Sequence, residues 1–419
     1  MSHPMKDSGV PWIGNIPEEW EIRKGKFLLQ PLNRPIREDD GIITCFRDGE
    51  VTLRSNRREE GFTVALKEMG YQGIEPGDLV VHGMDGFAGA IGVSDSRGKA
   101  SPVLVVLDTE QDKRFLMYYL RSVAYKDIFS VLSTGIRARS CDLGWKKLAN
   151  IPFLLPPLSE QRKIAMFLDD IVARIDGIRN EIQREIERLG DYKKSLVSET
   201  ICHGVRGTSR ALKPSGIPWL GDVPTDWEIV RNKTFMKQTS EKVGDRKNDF
   251  PLLSLSKQGV IVRDVSEGKG KFPKDFDTYL VVRPGNLVFC LFDMAETPRT
   301  VGLVKNVGML TGAYTNFEID ESRVLPDFAY YYYLAVDDAK RLEPYYTGLR
   351  KVVKTNTFLS LLFPRPSIPE QREIVTFLDK ATAKIDETIK ARKDQLEKLD
   401  VLKKTTIADY VTGRKEVLA

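Results

Sequence analysis

The chain is poor in the residues that most enzymes and metalloproteins depend on. Its 419 residues include four cysteines and three histidines. Cys45, Cys141, Cys202 and Cys290 stand far apart, and His3, His82 and His203 show no paired spacing. A structural zinc site needs several soft ligands converging, usually begun by a C-x-x-C pair, and no such pair occurs, so no metal ligand is assigned. Scattered cysteines fit reduced thiols in a cytosol, and a cytoplasmic location is expected. No apolar run reaches the ~18 residues of a membrane span, so no membrane partner is expected. The opening MSHPMKDSGVPW lacks the basic-then-apolar pattern of an export leader. The phosphate loop G-x-x-x-x-G-K-S/T of a nucleotide-driven motor is missing. So are the Asn/Asp-Pro-Pro-aromatic motif and glycine-rich cofactor loop that a methyltransferase would need. Net charge is only +5, which permits nucleic-acid binding without showing it, because local clustering is what binds phosphate.

What the chain does have is itself, twice. Residues 5–26, MKDSGVPWIGNIPEEWEIRKGK, match 212–233, LKPSGIPWLGDVPTDWEIVRNK, at 11 of 22 positions. Four of the five tryptophans, Trp12, Trp20, Trp219 and Trp227, lie in this pair. Further on, EQRKIAMFLDDIVARID at 160–176 matches EQREIVTFLDKATAKID at 370–386 at 10 of 17 positions. Between them, in the same order, fall PGDLV (76–80) with PGNLV (284–288), FLMYYL (115–120) with FAYYYYL (328–334), and TGIR (134–137) with TGLR (347–350). An internal repeat fixes architecture before any single motif is interpreted. The stretches between these anchors have diverged heavily, so one scaffold is expected to carry two different surfaces.

Each half first alternates short β-branched runs with turn signals, as in LVVHG, VLVVLD and IPFLLPP. Asp48-Gly49, between ITCFR and EVTLR, is a strong hairpin signal, and LLSLS-KQG-VIVR is its looser counterpart. The pattern then changes period. After Pro156-Pro157, Ser159 is expected to cap a helix with acidic Glu160 in its first turn. Ile164, Leu168, Ile171, Ile175, Ile178, Ile182, Leu189 and Leu196 follow at three-and-four spacing, and Ile374, Leu378, Ala381, Ile385, Ile389, Leu396 and Leu399 repeat it. An average near 3.5 residues is a coiled-coil seam. Helices over about 159–202 and 369–412 would each run roughly 65 Å, and neither stripe can stay exposed. The economical partner for each is the other. The expected fold is α+β: two tandem α/β recognition domains, each followed by a long helix, the helices forming an antiparallel coiled coil with pseudo-twofold symmetry. Expected boundaries are 1–155 and 208–365 for the domains, and 156–207 and 366–419 for the helical spacers.

The S-G-x-P-W-x-G-x-x-P-x-x-W-E opening of each half and the E-Q-R-x-I-x-x-F-L-D entry to each helix, with TGIR, TGLR and the final VTGRKEV, resemble the specificity subunits of Type I restriction-modification enzymes over essentially the whole chain. The first helix departs from the pattern by ending ICHGVRG, and Pro156-Pro157 becomes Arg365-Pro366 in the second copy. The resemblance implies a non-catalytic subunit that reads a split, asymmetric double-stranded DNA site. It implies partners as well: two methyltransferase (modification) subunits, to which restriction (motor-nuclease) subunits add. No cofactor is expected on this chain; S-adenosylmethionine, ATP and Mg are expected on the partners.

DNA contacts are sought among basic residues in loops where the copies differ, since side chains reaching base edges read sequence while phosphate contacts position. In the first half these are Arg47, Arg54, Arg57 and Arg58, with Asn56 suited to adenine among arginines suited to guanine. In the second half they are Lys257, Arg263, Lys269 and Lys271. The Thr-Gly segments add Arg137, Arg139, Arg350, Lys351 and Lys354. A solvated charged turn or a structural loop is the alternative for each set. The tryptophan-proline openings and Tyr330 to Tyr333 are expected to pack within the fold, and nothing in the sequence decides His82 or His203. Asp264 with Glu267-Gly268-Lys269 faintly resembles a nuclease cluster, has no counterpart in the first half, and is not assigned as catalytic. Two other functions fit the same residues: a stand-alone two-lobed DNA-binding regulator, and a coiled-coil scaffold that binds no DNA.

Overall fold

The computed structural model describes residues 4–58, 68–131, 143–205, 210–263, 276 and 278–417. The chain divides into two compact units, Met1–Gln183 with Lys393–Ala419, and Arg184–Arg392.

The first unit is built on a four-stranded antiparallel sheet in the order Gln30–Pro31, Leu104–Asp108, Leu79–His82, Ile91–Val93. Successive side chains of a strand point to opposite faces, and both faces of this sheet are covered. Leu79, Val81, Ile91 and Leu107 pack against Phe115, Leu116, Tyr119 and Val123 of the helix Lys113–Tyr125. Val80 and Val106 pack on the other side against Ile43, Cys45 and Val51. Those three belong to the hairpin Ile43–Cys45/Val51–Leu53, whose turn is closed by the Gly49 N–H donating to the Phe46 carbonyl at 2.9 Å. Gly49 holds φ +91°, and a β-carbon there would lie 1.5 Å from Nη2 of buried Arg121. Only glycine satisfies both conditions.

The second unit repeats this plan by itself: Met236–Thr239, Thr315–Ile319, Leu287–Phe289 and Val301–Leu303 in the same spatial order, the helix Pro326–Asp338 against one face, and the hairpin Leu253–Ser256/Gly259–Val262 toward the other. Tyr331, Tyr332 and Tyr333 are buried in the core, as the sequence implies.

The long helices are Leu158–His203 and Ile368–Val411. The first starts one residue ahead of Ser159. The N–H groups of Glu160 and Gln161 donate to the Pro157 carbonyl at 2.8 and 3.0 Å, so Pro157 takes the cap position and Ser159 falls inside the first turn. In the second unit Ser367 does precede the helix, and Pro369 sits in the first turn, where a missing N–H costs nothing. The helix segments run antiparallel within each unit. In the first, Asp176 pairs with Lys403 at 2.6 Å, Arg179 with Asp400, and the Phe167 and Tyr410 rings lie 4.5 Å apart. In the second, Glu185 pairs with Arg392 at 2.9 Å and Lys193 with Asp386 at 2.6 Å.

The seam residues are not equally covered. Ile164, Leu168, Ile175, Leu196, Ile374, Leu378 and Ile385 are buried, while Ile171, Ile182, Leu189, Ala381, Ile389, Leu396 and Leu399 are half-buried. Ile178 is 48% exposed, and Val172 rather than Ile171 is buried. A helix of 3.6 residues per turn drifts off a 3.5-residue stripe in this way.

Repeated side chains tie each domain to its helix. Gln161 accepts from the Asp112 N–H (3.1 Å) and donates to Gln111 and the Pro156 carbonyl (2.8 and 2.9 Å). Gln371 accepts from the Leu325 N–H (2.8 Å) and donates to the Arg323 and Pro366 carbonyls (3.1 and 2.9 Å). Tyr118 donates to Asp169 at 2.9 Å and Tyr331 to Asp379 at 2.7 Å. The buried opening tryptophans diverge. Trp20 donates to Glu160 at 3.2 Å, whereas the indole N–H of Trp227 has no partner among the described residues, and Glu370 pairs with Arg210 instead.

Candidate nucleic-acid interface

Four of the basic residues singled out in the first half line one groove of about 540 Å³: Arg47, Arg54, Arg57 and Arg58, against Asp48 and Asp85. The local fold explains the gathering. Arg47 and Asp48 sit in the hairpin turn, and the second strand leads directly into a single 3-10 turn, Arg54–Asn56, which swings the arginine run back beside the hairpin. Arg54 Nε donates to Thr44 Oγ1 at 2.9 Å. Arg57 is clamped by Asp48 at 2.6 Å and Glu50 at 2.9 Å, with its guanidinium 4.2 Å from the Phe46 ring centroid. The bond to Asp48 raises the Arg57 pKa further above its ordinary value. Arg47 pairs with Asp85 at 2.8 Å. Asn56 stands apart: its Nδ2 donates to Thr52 at 2.9 Å, and it does not line the groove.

Two further groove residues, Cys45 and His82, carry titratable groups of their own. Burial pushes the Cys45 thiol up to about 12, which makes it an inert wall. His82 ends the strand Leu79–His82 on the same face as Val80, toward the hairpin. The repeat anchor PGDLV, which ends two residues before His82, was the signal that could have located it.

The second unit places its candidates differently. Lys257 is exposed in the hairpin turn, and Arg263 is half-buried just beyond it, its N–H donating to the Leu252 carbonyl at 2.8 Å. Arg350 grips Asp293 through Nη2 at 2.5 Å and Nε at 3.2 Å and lies 4.9 Å from the Phe292 ring centroid. It sits in a turn closed by reciprocal hydrogen bonds of Thr347 and Val352 (2.9 and 3.0 Å), with Lys351 at φ +45°. Exposed Lys354 precedes the short helix Thr355–Ser360. A groove of about 540 Å³ in this unit is lined by Gln238, Thr239, Lys242, Thr311, Tyr314 and Asn316, among others, and by none of these candidates. Arg137, Arg139, Lys269 and Lys271, with Asp264 and Glu267, lie outside the described residues. Among the described residues no cluster of three or more side chains could hold a metal ion, and no helix is long and apolar enough to cross a membrane.

Repeated units with paired long helices, one bearing an arginine-lined groove, define a two-unit α+β protein of internally duplicated build. Residues 77–188 match the Type I restriction modification DNA specificity domain. The chain is 25% identical to the Type I restriction enzyme MjaVIII specificity subunit of Methanocaldococcus jannaschii, over 96% of this chain and 94% of that one. In fold it resembles a solved chain from work on complex assembly and conformational transition of the type I R-M system (TM-score 0.68, 13% identity, 94% and 98% of the two chains). It also resembles the HsdS subunit of Thermoanaerobacter tengcongensis (TM-score 0.50, 15% identity, 96% and 98%). Both the family match within the first half and the full-length relatives therefore point to similarity with Type I restriction-modification specificity subunits.

Proposed function

We propose that this chain is the non-catalytic DNA-reading subunit of its complex, each unit taking one half of a bipartite, asymmetric double-stranded site. The observation that carries this reading is the groove holding Arg47, Arg54, Arg57 and Arg58. Four guanidinium groups beside polar Thr44, His82 and Ser101 offer charge for phosphates and forked donors for guanine edges. The second groove, with Gln238 and Thr239 beside a single lysine, Lys242, offers different donors and acceptors, which suits an unlike half-site. The same reading assigns modification and restriction subunits as partners, with S-adenosylmethionine, ATP and Mg bound by them.

The test is a domain swap. Residues 27–130 are replaced by the equivalent block of another family member, and methylated sites are mapped in a host that also expresses the modification subunit. One half of the recognised sequence should change and the other persist. Alteration of both halves would show that the units are not independent readers, and methylation without sequence preference would remove the DNA-reading role.

A further inference from the structure

His82 combines a fixed tautomer with an open donor in the arginine groove. Its Nδ1 accepts two backbone N–H groups, from Met84 at 3.2 Å and Asp85 at 3.0 Å. A nitrogen that accepts cannot carry a proton, so the single proton of the neutral ring sits on Nε2. The ring is held neutral as well: burial lowers its pKa and Arg47 lowers it further, against the opposing pull of Asp85. Protonation would abolish both Nδ1 bonds and release the Gly83 to Asp85 turn, which also carries the partner of Arg47. Nε2 has no hydrogen-bond partner among the described residues, and His82 is half-buried among the groove-lining side chains.

The position also distinguishes the two units. Aligned on the PGDLV and PGNLV anchors, His82 corresponds to Cys290, while Asp85 corresponds to Asp293. Each aspartate receives an arginine of its own unit, Arg47 or Arg350. The support is therefore shared and the residue at the strand end is not. A turn that needed only an acceptor would place no demand for a ring with a second, outward nitrogen.

We propose that His82 is a sequence-reading residue of the first unit, donating from Nε2–H to an acceptor on a base edge of one half-site. This rests on the DNA-reading function proposed above. A donor-only nitrogen can donate to purine N7, guanine O6 or thymine O4 but finds no acceptor in the cytosine amino group, so its contribution is discrimination at one base pair rather than general affinity. The arginines around it supply the charge.

Two variants separate reading from support. His82→Asn keeps an acceptor within reach of the Met84 and Asp85 N–H groups but loses the outward donor; His82→Gln restores a donor near the Nε2 position. Binding is measured with the full chain in complex with its modification subunit, on duplexes varied one base pair at a time. His82→Asn should keep the wild-type melting temperature and lose about 10- to 100-fold of discrimination at a single base pair of one half-site, and His82→Gln should recover part of it. Wild-type complex is also tested on duplexes carrying base analogues that lack N7, O6 or O4 one at a time. One such analogue should cost the wild type what the Asn variant has already lost and cost that variant nothing more. If His82→Asn fails to fold, His82→Gln takes its place in this comparison, and the analogue's cost should be smaller for it than for the wild type. Unchanged discrimination in both variants, uniform loss over both half-sites, or no analogue with a position-specific effect would overturn the assignment. Absence of any sequence preference in the wild-type complex would instead remove the DNA-reading function on which it rests.

Discussion

Replacing Arg54, Arg57 and Arg58 together by glutamine removes three of the four cations from the first groove while leaving side chains of similar length. Each arginine that meets a phosphate adds about 0.9 to the slope of log affinity against log salt. Raising salt from 50 to 200 mM should therefore cost wild type about 3- to 4-fold per contact, and roughly 40-fold if all three touch phosphate. Any of the three that reads a base edge should instead cost about 1–3 kcal/mol at its own position. Arg57 differs from its neighbours because Asp48 and Glu50 already hold it. Arg57→Gln alone leaves both carboxylates without their shared partner, Asp48 within the groove, and should lower the thermal midpoint of the domain as well as binding. The assay is fluorescence anisotropy with the modification complex at both salt concentrations, using duplexes scrambled in one half-site or the other. The variant should show a shallower salt dependence and relaxed preference in a single half. Equal loss of preference in both halves, or an unchanged salt slope, would refute the placement of DNA in this groove.

Two further substitutions test the architecture beneath the groove. Gly49→Ala must adopt φ +91° and displace the buried Arg121 guanidinium, so it should destabilise the chain by about 2–3 kcal/mol; denaturant unfolding that matches wild type would show that the turn relaxes freely. Asp40 is buried and accepts from Arg97 Nε and Nη2, both at 2.9 Å, and from the Arg37 N–H at 2.8 Å. The Arg97 bonds lower its pKa from 3.8 to about 2. A folded-state pKa below the unfolded one gives stability that is complete above about pH 4 and disappears as pH falls through 2. Asp40→Ala should cost about 2–3 kcal/mol at pH 7, and the gap to wild type in unfolding titrations should close toward pH 2; a gap independent of pH would show that packing, not the ion pair, carries the effect.

The repeat, the hairpin at Asp48-Gly49, the change from strand to helix period after Pro156-Pro157 and the apolar stripe of each long helix were all legible in the sequence. Each is set by local geometry: backbone sterics at glycine and proline, alternation at two residues, recurrence at 3.5. Local geometry also moves the helix start by a residue from where Ser159 would cap it, because the Pro157 carbonyl takes the first helical bonds. The unequal cover of the seam, with Ile178 exposed and Val172 buried, depends on what lies opposite each turn, and periodicity within one helix says nothing of that.

The site itself is a tertiary product. Arg54 to Arg58 are neighbours in the chain, but their groove is completed by Arg47 from the hairpin turn and His82 from the end of a central strand, brought together by sheet register rather than by spacing. Charge alone could not show that Arg57 is clamped by two carboxylates, that Asn56 is engaged with Thr52, or that Arg350 is held by Asp293, 57 residues away. Sequence determined which residues could carry charge and which elements would hold them, because both are properties of short segments. Which cations converge, and which are engaged by carboxylates before any ligand arrives, was decided only by the fold, because such pairing depends on distances between segments that the chain places far apart.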